Sequence, residues 1–365
     1  VTDTRYMALA LSLGRRGLGA VWPNPAVGCV IVNEGRILGR GWTRPGGRPH
    51  AETVALAQAG AEARGATAYV TLEPCAHHGK TPPCADALVA AGIARAVVAL
   101  RDPDPRVNGQ GLDRLRAGGI EVVEGVLADT ARADQAGFLS RVTEGHPLVT
   151  LKLATSFDGR IATASGESRW ITGAAARRMV HALRLNHDAV MIGAGTARAD
   201  DPMLTVRDLG AKRQPVRVVL ARNLDLPLDG RLAASAGAVP LWLVHGDGAD
   251  PDRIAAWRAR GAEVVRVPVV GGRLDAGAAL AALGARGLTR VFCEGGGTLA
   301  AALLGGGLVD RLIGFTAGLA IGAEGRPAIS ALGLGGLAEA PRFMLAETRA
   351  LGGDVMHVWQ RDRTG

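Results

Sequence analysis

Between Pro49 and Asp86 the chain sets out one imidazole and two thiols in a pattern that few roles satisfy. It reads Pro49-His50-Ala51-Glu52, then a run with helical periodicity, then Glu73-Pro74-Cys75, eight residues, and Cys84. His50, Cys75 and Cys84 form the donor set of a catalytic zinc site, three protein ligands with a fourth position left open for water. Glu52 stands two residues past the histidine, an offset that on a helix turns its carboxylate away from the imidazole, beside the metal and not onto it. There it is available to carry protons. A closed structural zinc site needs a fourth ligand, for which His77 and His78 are at hand, but it leaves Glu52 without a role.

The 365 residues exceed the usual size of a single core, so two domains are expected. No apolar run reaches membrane-span length, and the first residues lack the charged and apolar regions of a signal peptide, which points to the cytoplasm. Cys29 and Cys293 lie inside apolar, strand-like runs and read as small core residues, not as a disulfide framework. The formal net charge is +8, and lysine occurs only at 80, 152 and 212, so nearly all the basic charge is arginine. Those arginines are scattered, without the basic block or interleaved aromatics of a nucleic-acid groove. A small phosphorylated substrate is favoured over nucleic acid, no membrane partner is expected, and the chain is expected to form a homo-oligomer.

Apolar spacing predicts a helix from Arg5 to Arg16, a rigid Trp22-Pro23-Asn24-Pro25 loop, and a hairpin of 26–32 with 36–42. Pro49 suits the first turn of a helix that runs to about Arg64 and begins at His50; a strand over 67–72 then leads to Cys75. Pro82-Pro83 starts a further helix with Cys84 in its first turn, where the helix dipole favours a thiolate. Strand, helix and strand follow at 95–100, 111–117 and 120–123, continuing an alternating α/β layer. A new apolar strand opens after Pro147, dividing the chain into domains 1–145 and 146–365.

In the second half, strands are predicted at 148–154, 189–193, 216–221, 241–244 and 290–293, with helices between most of them. Two glycine turns follow strands, Gly193-Ala-Gly-Thr196 and Gly295-Gly296-Gly297-Thr298. Each is suited to offering backbone N–H groups to a phosphate, although neither spells the dinucleotide fingerprint. Thr172 is placed to cap a helix over 173–186 on which Arg177, His181 and Arg184 share a face. Arg184 and Arg207 are candidate clamps for a sugar phosphate. The closing 352–359 segment reads as an edge strand.

The order His-x-Glu, Pro-Cys, Cys is that of zinc deaminases, whose usual second spacing is two residues where this chain has eight. Pro23-Asn-Pro-Ala-Val-Gly-Cys-Val30, Pro49-His-Ala-Glu52 and Glu73-Pro-Cys-Ala-His-His-Gly-Lys-Thr-Pro-Pro-Cys84 resemble the bifunctional riboflavin-biosynthesis deaminase/reductase family. So do Ser156-Phe-Asp-Gly159, Gly166-Glu-Ser-Arg-Trp170, Asp200-Asp-Pro-Met-Leu-Thr205 and Glu294-Gly-Gly-Gly-Thr298, and the likeness spans nearly the whole chain. The resemblance implies a cytidine-deaminase-like three-layer α/β/α domain followed by an α/β domain similar to dihydrofolate reductase. It further implies zinc on His50, Cys75 and Cys84, catalysis by Glu52, and substrate contacts from Asn24 and Lys80.

For the second domain it implies NADPH held by Ala154, Trp170, Thr196, Asp200, Gly296, Gly297 and Thr298, and substrate held by Ser168, Arg184, Leu204, Arg207 and Glu294. The implied activity is deamination of a diamino-pyrimidinone ribosylamino phosphate to its uracil counterpart, then NADPH-dependent reduction of the ribosyl chain to ribityl. Ala26, Thr43, Asp104, Ala221 and Arg222 depart from the family pattern, and Arg222 is a candidate grip for the cofactor's 2′-phosphate. Two rivals predict otherwise. A nucleobase or tRNA-adenosine deaminase with an unrelated second domain has no use for NADPH, and a zinc-dependent nucleic-acid binder shows salt-dependent binding without turnover.

Overall fold

The fold was analysed in a computed structural model that describes residues 2–77 and 82–362. The chain divides into two compact units, 1–146 and 147–365. No helix among the described residues is long and apolar enough to cross a membrane.

In the first unit, Glu34 and Gly35 both adopt positive φ, 46° and 77°, the backbone that a two-residue hairpin turn needs to match strand twist. They join β1 (Gly28–Asn33) to β2 (Arg36–Trp42). β3 (Thr67–Val70) pairs antiparallel with β1, and β4 (Arg95–Val98) and β5 (Glu121–Glu124) add in parallel, giving the order β2-β1-β3-β4-β5. Strand alternation sorts the core into two layers. Cys29, Ile31, Ala68 and Val70 pack with α2 (Ala51–Ala59), α3 (Cys84–Ala90) and α4 (Gln110–Ala117). Val30, Val32, Tyr69 and Val97 pack with α1 (Thr2–Gly14) and α5 (Ala128–Glu144). The result is the expected three-layer arrangement, and Cys29 is a buried core thiol.

The seventeen-residue α5 escaped the sequence reading, because its arginine- and aspartate-rich stretch carries a weak apolar stripe. Pro49 also differs from expectation. It precedes the helix, His50 is the extended N-cap residue (ψ 162°), and α2 stops at Ala59 with one 3₁₀ turn beyond it, short of Arg64.

The second unit is built on a nine-stranded sheet. Its strands are β6 (Leu148–Thr155), β8 (Ala189–Gly193), β9 (Val216–Leu220), β10 (Leu241–His245), β11 (Glu263–Arg266), β14 (Arg290–Gly295), β15 (Arg311–Ala317), β17 (Phe343–Leu351) and β18 (Asp354–Arg361). Short ribbons pair β7 (Arg160–Ala162) with β16 (Arg326–Pro327) and β12 (Val269–Val270) with β13 (Arg273–Leu274). The order is β11-β10-β9-β8-β14-β6-β15-β18-β17, parallel from β11 to β15 and antiparallel beyond.

β18 therefore lies inside the sheet, and β17 takes the edge position expected of the C-terminal segment. Trp257 on α9 (Pro251–Ala259) fills the core over β8, β9 and β10, with α7 (Ala194–Asp200) and α8 (Arg231–Ala234) beside it. α10 (Ala276–Ala285) and α11 (Gly297–Gly305) flank β14 in sequence. α6 (Ala174–Leu185) packs Met179, Val180 and Leu183 over Ala154, Ile313, Phe315 and Met356. Its N-cap is Gly173, not Thr172: the Gly173 N–H donates to Asp354 (2.7 Å), and the Thr172 carbonyl accepts from Arg177 (2.7 Å).

Candidate active sites

The first site is assembled on two helix starts and a strand end. α2 lies so close to β2 that a Cβ on Gly41 would stand 2.0 Å from the Ala51 carbonyl, and one on Gly39 would stand 2.1 Å from that of Ala55. These glycines seat the helix that presents His50 and Glu52. His50 Nδ1 lies 3.3 Å from Cys84 Sγ and 3.6 Å from Cys75 Sγ, and the Cys84 N–H donates to Cys75 Sγ (3.3 Å).

The three donor atoms lie within 4.8 Å of one another. A tetrahedral zinc with ordinary Zn–N and Zn–S bonds separates its nitrogen and sulfur ligands by about 3.5 Å, so the donor set fits the metal. Among the described residues His77 is not part of this cluster, and its buried Nδ1 has no hydrogen-bond partner. His78 and Lys80 lie outside the described residues.

Glu52 is 3% exposed. Burial first, and then negative charge at Cys75, push its carboxyl up to about 7, while His50 pulls the other way. Donation from the Cys84 side chain leads the causes that lower the Cys75 thiol, to about 4, with His50 and the Cys84 N–H assisting; Cys84 is correspondingly raised. Asn24, half-buried in its proline loop, packs on Gly47 so closely that a Cβ there would overlap its side-chain amide.

Glu73 was missed in the sequence. Its buried carboxylate accepts N–H groups from Asp102 (3.2 Å), Gly109 (3.0 Å), Gly111 (2.9 Å) and Leu112 (3.4 Å), tying the strand end beside Cys75 to the loop before α4. The glycines at 109 and 111 were the only local signal, since the partners are 29 to 39 residues away. The three departures from the family pattern in this unit, Ala26, Thr43 and Asp104, are all buried. Thr43 Oγ1 accepts the Val27 N–H (3.0 Å), and Asp104 pairs with Arg106.

The second site is a cleft of about 820 Å³ at the carboxyl ends of β6, β8 and β14, where the order of a parallel sheet reverses and ligands commonly bind. Of the residues expected there, Ala154, Ser168, Trp170, Arg184, Thr196, Asp200, Leu204, Arg207, Glu294 and Gly296 line it. Gly297 and Thr298 form the first turn of α11 and are not among its lining residues. The two glycine turns meet, with Thr196 Oγ1 donating to the Gly295 carbonyl (3.1 Å). Gly295 and Gly296 hold φ of 80° and 104°, and nothing lies within 4 Å of where a Gly295 Cβ would be. An open backbone cradle beside the two-thirds-exposed Trp170 ring, which carries the Arg177 guanidinium 4.4 Å from its centroid, fits a nicotinamide dinucleotide.

Lys152, Glu294 and Arg184 form a charged group in the cleft wall. Arg184 grips Glu294 through both Nε and Nη2 (the latter 2.9 Å) and donates to the Thr205 carbonyl (2.7 Å). Burial alone would raise the Glu294 carboxyl, but the Arg184 charge holds it below the usual range; burial lowers Lys152, against the pull of Glu294. Arg222, proposed from sequence as a cofactor grip, is not among the cleft's lining residues; its Nη1 donates to the Gly272 carbonyl.

Known proteins match both units. Residues 1–100 match the cytidine and deoxycytidylate deaminase zinc-binding region, and residues 147–357 match the RibD C-terminal domain. The riboflavin biosynthesis protein RibD of Escherichia coli (strain K12) is 44% identical over 363 residues, 97% of this chain and 98% of that protein. The Aquifex aeolicus protein of the same name is 38% identical, covering 98% of each chain. Among solved structures, Acinetobacter baumannii RibD, form 1, superposes with a TM-score of 0.88 at 39% identity over 99% of both chains. A diaminohydroxyphosphoribosylaminopyrimidine deaminase/5-amino-6-(5-phosphoribosylamino)uracil reductase from Thermotoga maritima does so with a TM-score of 0.86 at 34% identity, again over 99% of both. With relatives this similar along its full length, the chain belongs to the RibD family of riboflavin biosynthesis proteins.

Proposed function

We propose that the chain carries out two successive steps of riboflavin biosynthesis, one in each unit. The first is hydrolytic deamination of 2,5-diamino-6-ribosylamino-4(3H)-pyrimidinone 5′-phosphate. The second is NADPH-dependent reduction of the ribosyl chain of 5-amino-6-(5-phosphoribosylamino)uracil to ribityl. The observation that carries this reading is the His50, Cys75 and Cys84 cluster with buried Glu52 beside it, on a chain that also holds a separate dinucleotide-sized cleft.

In the first unit, His50, Cys75 and Cys84 would hold zinc, which would supply the Lewis acidity needed to activate a water towards the amino-bearing ring carbon. Glu52 takes one proton of the attacking water and passes it to the ring nitrogen, then carries the second from the newly added hydroxyl to the departing amine, so water enters and ammonia leaves. Its raised affinity for a proton suits a group that must both accept and donate. Asn24 and Lys80 contact the substrate. In the second unit, the cleft would hold NADPH, which would supply the hydride for the open-chain sugar carbon. Ala154, Trp170, Thr196, Asp200 and the turn at Gly296, Gly297 and Thr298 orient the cofactor. Ser168, Arg184, Leu204, Arg207 and Glu294 orient the phosphorylated substrate.

The reading extends to a cytoplasmic homo-oligomer with neither nucleic acid nor membrane as partner. Many arginines are met by acids at the surface, as in Arg95–Asp3 and Arg114–Asp86, which supports the absence of a polyanion groove.

One assay tests the two-step reading. Zinc-loaded protein, the diamino substrate and NADPH are combined, and ammonia release and loss of NADPH absorbance are followed for wild type and Glu52→Ala. Wild type is expected to do both, and the variant to consume NADPH only when given the pre-deaminated uracil compound. Ammonia release with no NADPH consumption, even from the uracil compound, would overturn the assignment of the second unit.

A further inference from the structure

Residues 203–207 lie between α7 and β9, outside any helix or strand, and Met203, Leu204 and Arg207 among them line the cleft. Leu204 holds φ of 55° while only 3% exposed. A bulky L-residue keeps that left-handed backbone only where its surroundings hold it there. The backbone groups of Thr205, Val206 and Arg207 have no strand neighbour to meet them, so they need other partners. Side chains supply these. From α6, Arg184 donates to the Thr205 carbonyl (2.7 Å), and His181 Nδ1 accepts the Arg207 N–H (3.3 Å). Between these two bonds, Gln214 takes both groups of Val206. Its Oε1 accepts the Val206 N–H (2.7 Å), and its Nε2 donates to the Val206 carbonyl (3.1 Å).

Gln214 suits this task by chemistry and by place. A carboxamide sets a donor beside an acceptor in one plane, as a neighbouring strand does for a residue in a ladder. Pro215 follows it and favours extended backbone at Gln214. β9 begins at the next residue, Val216, whose N–H donates to the Asp188 carbonyl (2.9 Å). The amide therefore ties the cleft segment to the entry of a strand inside the nine-stranded sheet. We propose that Gln214 is a positioning residue of the reductase cleft, whose carboxamide holds 204–207 in the substrate-receiving conformation before substrate arrives. Gln214 is not among the cleft's lining residues, so it acts through the segment and not by touching a ligand. Without it the receiving conformation is one of several, and the apparent affinity for substrate falls with the fraction of the chain that adopts it. The proposal rests on the reading of the cleft as the site of ribosyl reduction, with Leu204 and Arg207 as substrate contacts, and adds to it what keeps those contacts in place.

The test compares wild type, Gln214→Ala and Gln214→Glu as full-length protein in NADPH oxidation with the uracil substrate. Alanine removes both bonds to Val206. Glutamate keeps the length and the acceptor but sets a carboxylate oxygen against the Val206 carbonyl. Gln214→Ala is expected to raise KM for the uracil substrate about 5- to 50-fold, the scale of two net hydrogen bonds, and Gln214→Glu is expected to raise it as well. The kcat and the KM for NADPH are expected to change little, because only binding of the sugar substrate draws on the held segment. Ammonia release from the diamino substrate, a reaction of the first unit, is expected to stay unchanged and reports that the chain is folded. A normal KM in both variants, an equal rise in KM for NADPH, a fall confined to kcat, or a matching loss of ammonia release would each overturn the proposal. A second measurement needs no turnover: amide hydrogen exchange in the ligand-free protein. Faster exchange at Val206 in Gln214→Ala, with β8 unchanged, supports the proposal, and unchanged exchange at Val206 overturns it. Failure of wild type to oxidise NADPH with the uracil substrate would refute the functional reading, and hydrogen exchange would still decide whether Gln214 holds the segment.

Discussion

His187 follows the C-cap of the helix that carries Arg184, and its burial makes it an acid-sensitive support for the cleft. The ring is 4% exposed, Nδ1 donates to the Leu183 carbonyl (2.7 Å), and Nε2 accepts from Thr150 Oγ1 (2.9 Å). It packs on Phe292 with centroids 5.1 Å apart. Burial pushes its pKa down to about 3. In the unfolded chain it titrates near 6.5. As pH falls through that value the unfolded state takes up a proton that the native state refuses until about 3, so stability is lost progressively across this window. At pH 5 the loss from this one group amounts to about 2 kcal/mol, and at pH 8 it is negligible.

Many other groups titrate in the same range, so the assay is a double difference. Urea unfolding of the full chain is measured at pH 8 and pH 5 for wild type and His187→Leu. The leucine variant, which lacks both hydrogen bonds, is expected to be the less stable at pH 8, with the gap narrowing by roughly 2 kcal/mol at pH 5. A gap that does not change with pH, or a His187 resonance that titrates near 6.5, would refute the argument.

Two further predictions concern the first unit. Gly41→Ala forces a methyl group against the Ala51 carbonyl and displaces the helix start that carries His50. It should cost ~1–3 kcal/mol and lower the zinc bound per chain in elemental analysis, so full zinc content with unchanged melting would count against the close-packing account. Glu73→Gln turns an amide NH₂ towards backbone donors that now meet a carboxylate oxygen. A loss of roughly 2–3 kcal/mol is expected, with faster hydrogen exchange at Gly109 and Gly111, and unchanged exchange there would show that the carboxylate does not hold the loop.

Much of the first site was legible because its chemistry is written in residue types that have few other uses at that spacing. His50, Cys75 and Cys84 were named as one ligand set from sequence, and their donor atoms meet. The strands of the first unit and six of the nine in the second unit's main sheet were legible from apolar periodicity, and the segment 189–193 has the bounds expected of it, whereas β11, β15 and β17 were not read from the sequence. Where reading failed, the deciding partner was remote or the local signal weak. Thr172 is a good cap by type, yet Asp354, 181 residues on from Gly173, takes the N–H at that helix start. Arg222 follows a strand as a cofactor grip should, yet its hydrogen bond to Gly272 turns it to another use. Asp188 bridges to Thr289 and Arg290 across neighbouring parallel strands, a contact with no trace in either local sequence.

The sequence by itself determined the donor atoms, the elements that carry them and the number of units, because ligand chemistry and side-chain periodicity act over a few residues. Only the tertiary structure decided that Arg184 answers Glu294, that Glu73 anchors a loop, and that the Arg207 N–H meets His181. Those pairings depend on strand order and on how closely helices approach the sheet, and a polar group removed from water takes whichever partner the packing brings within reach.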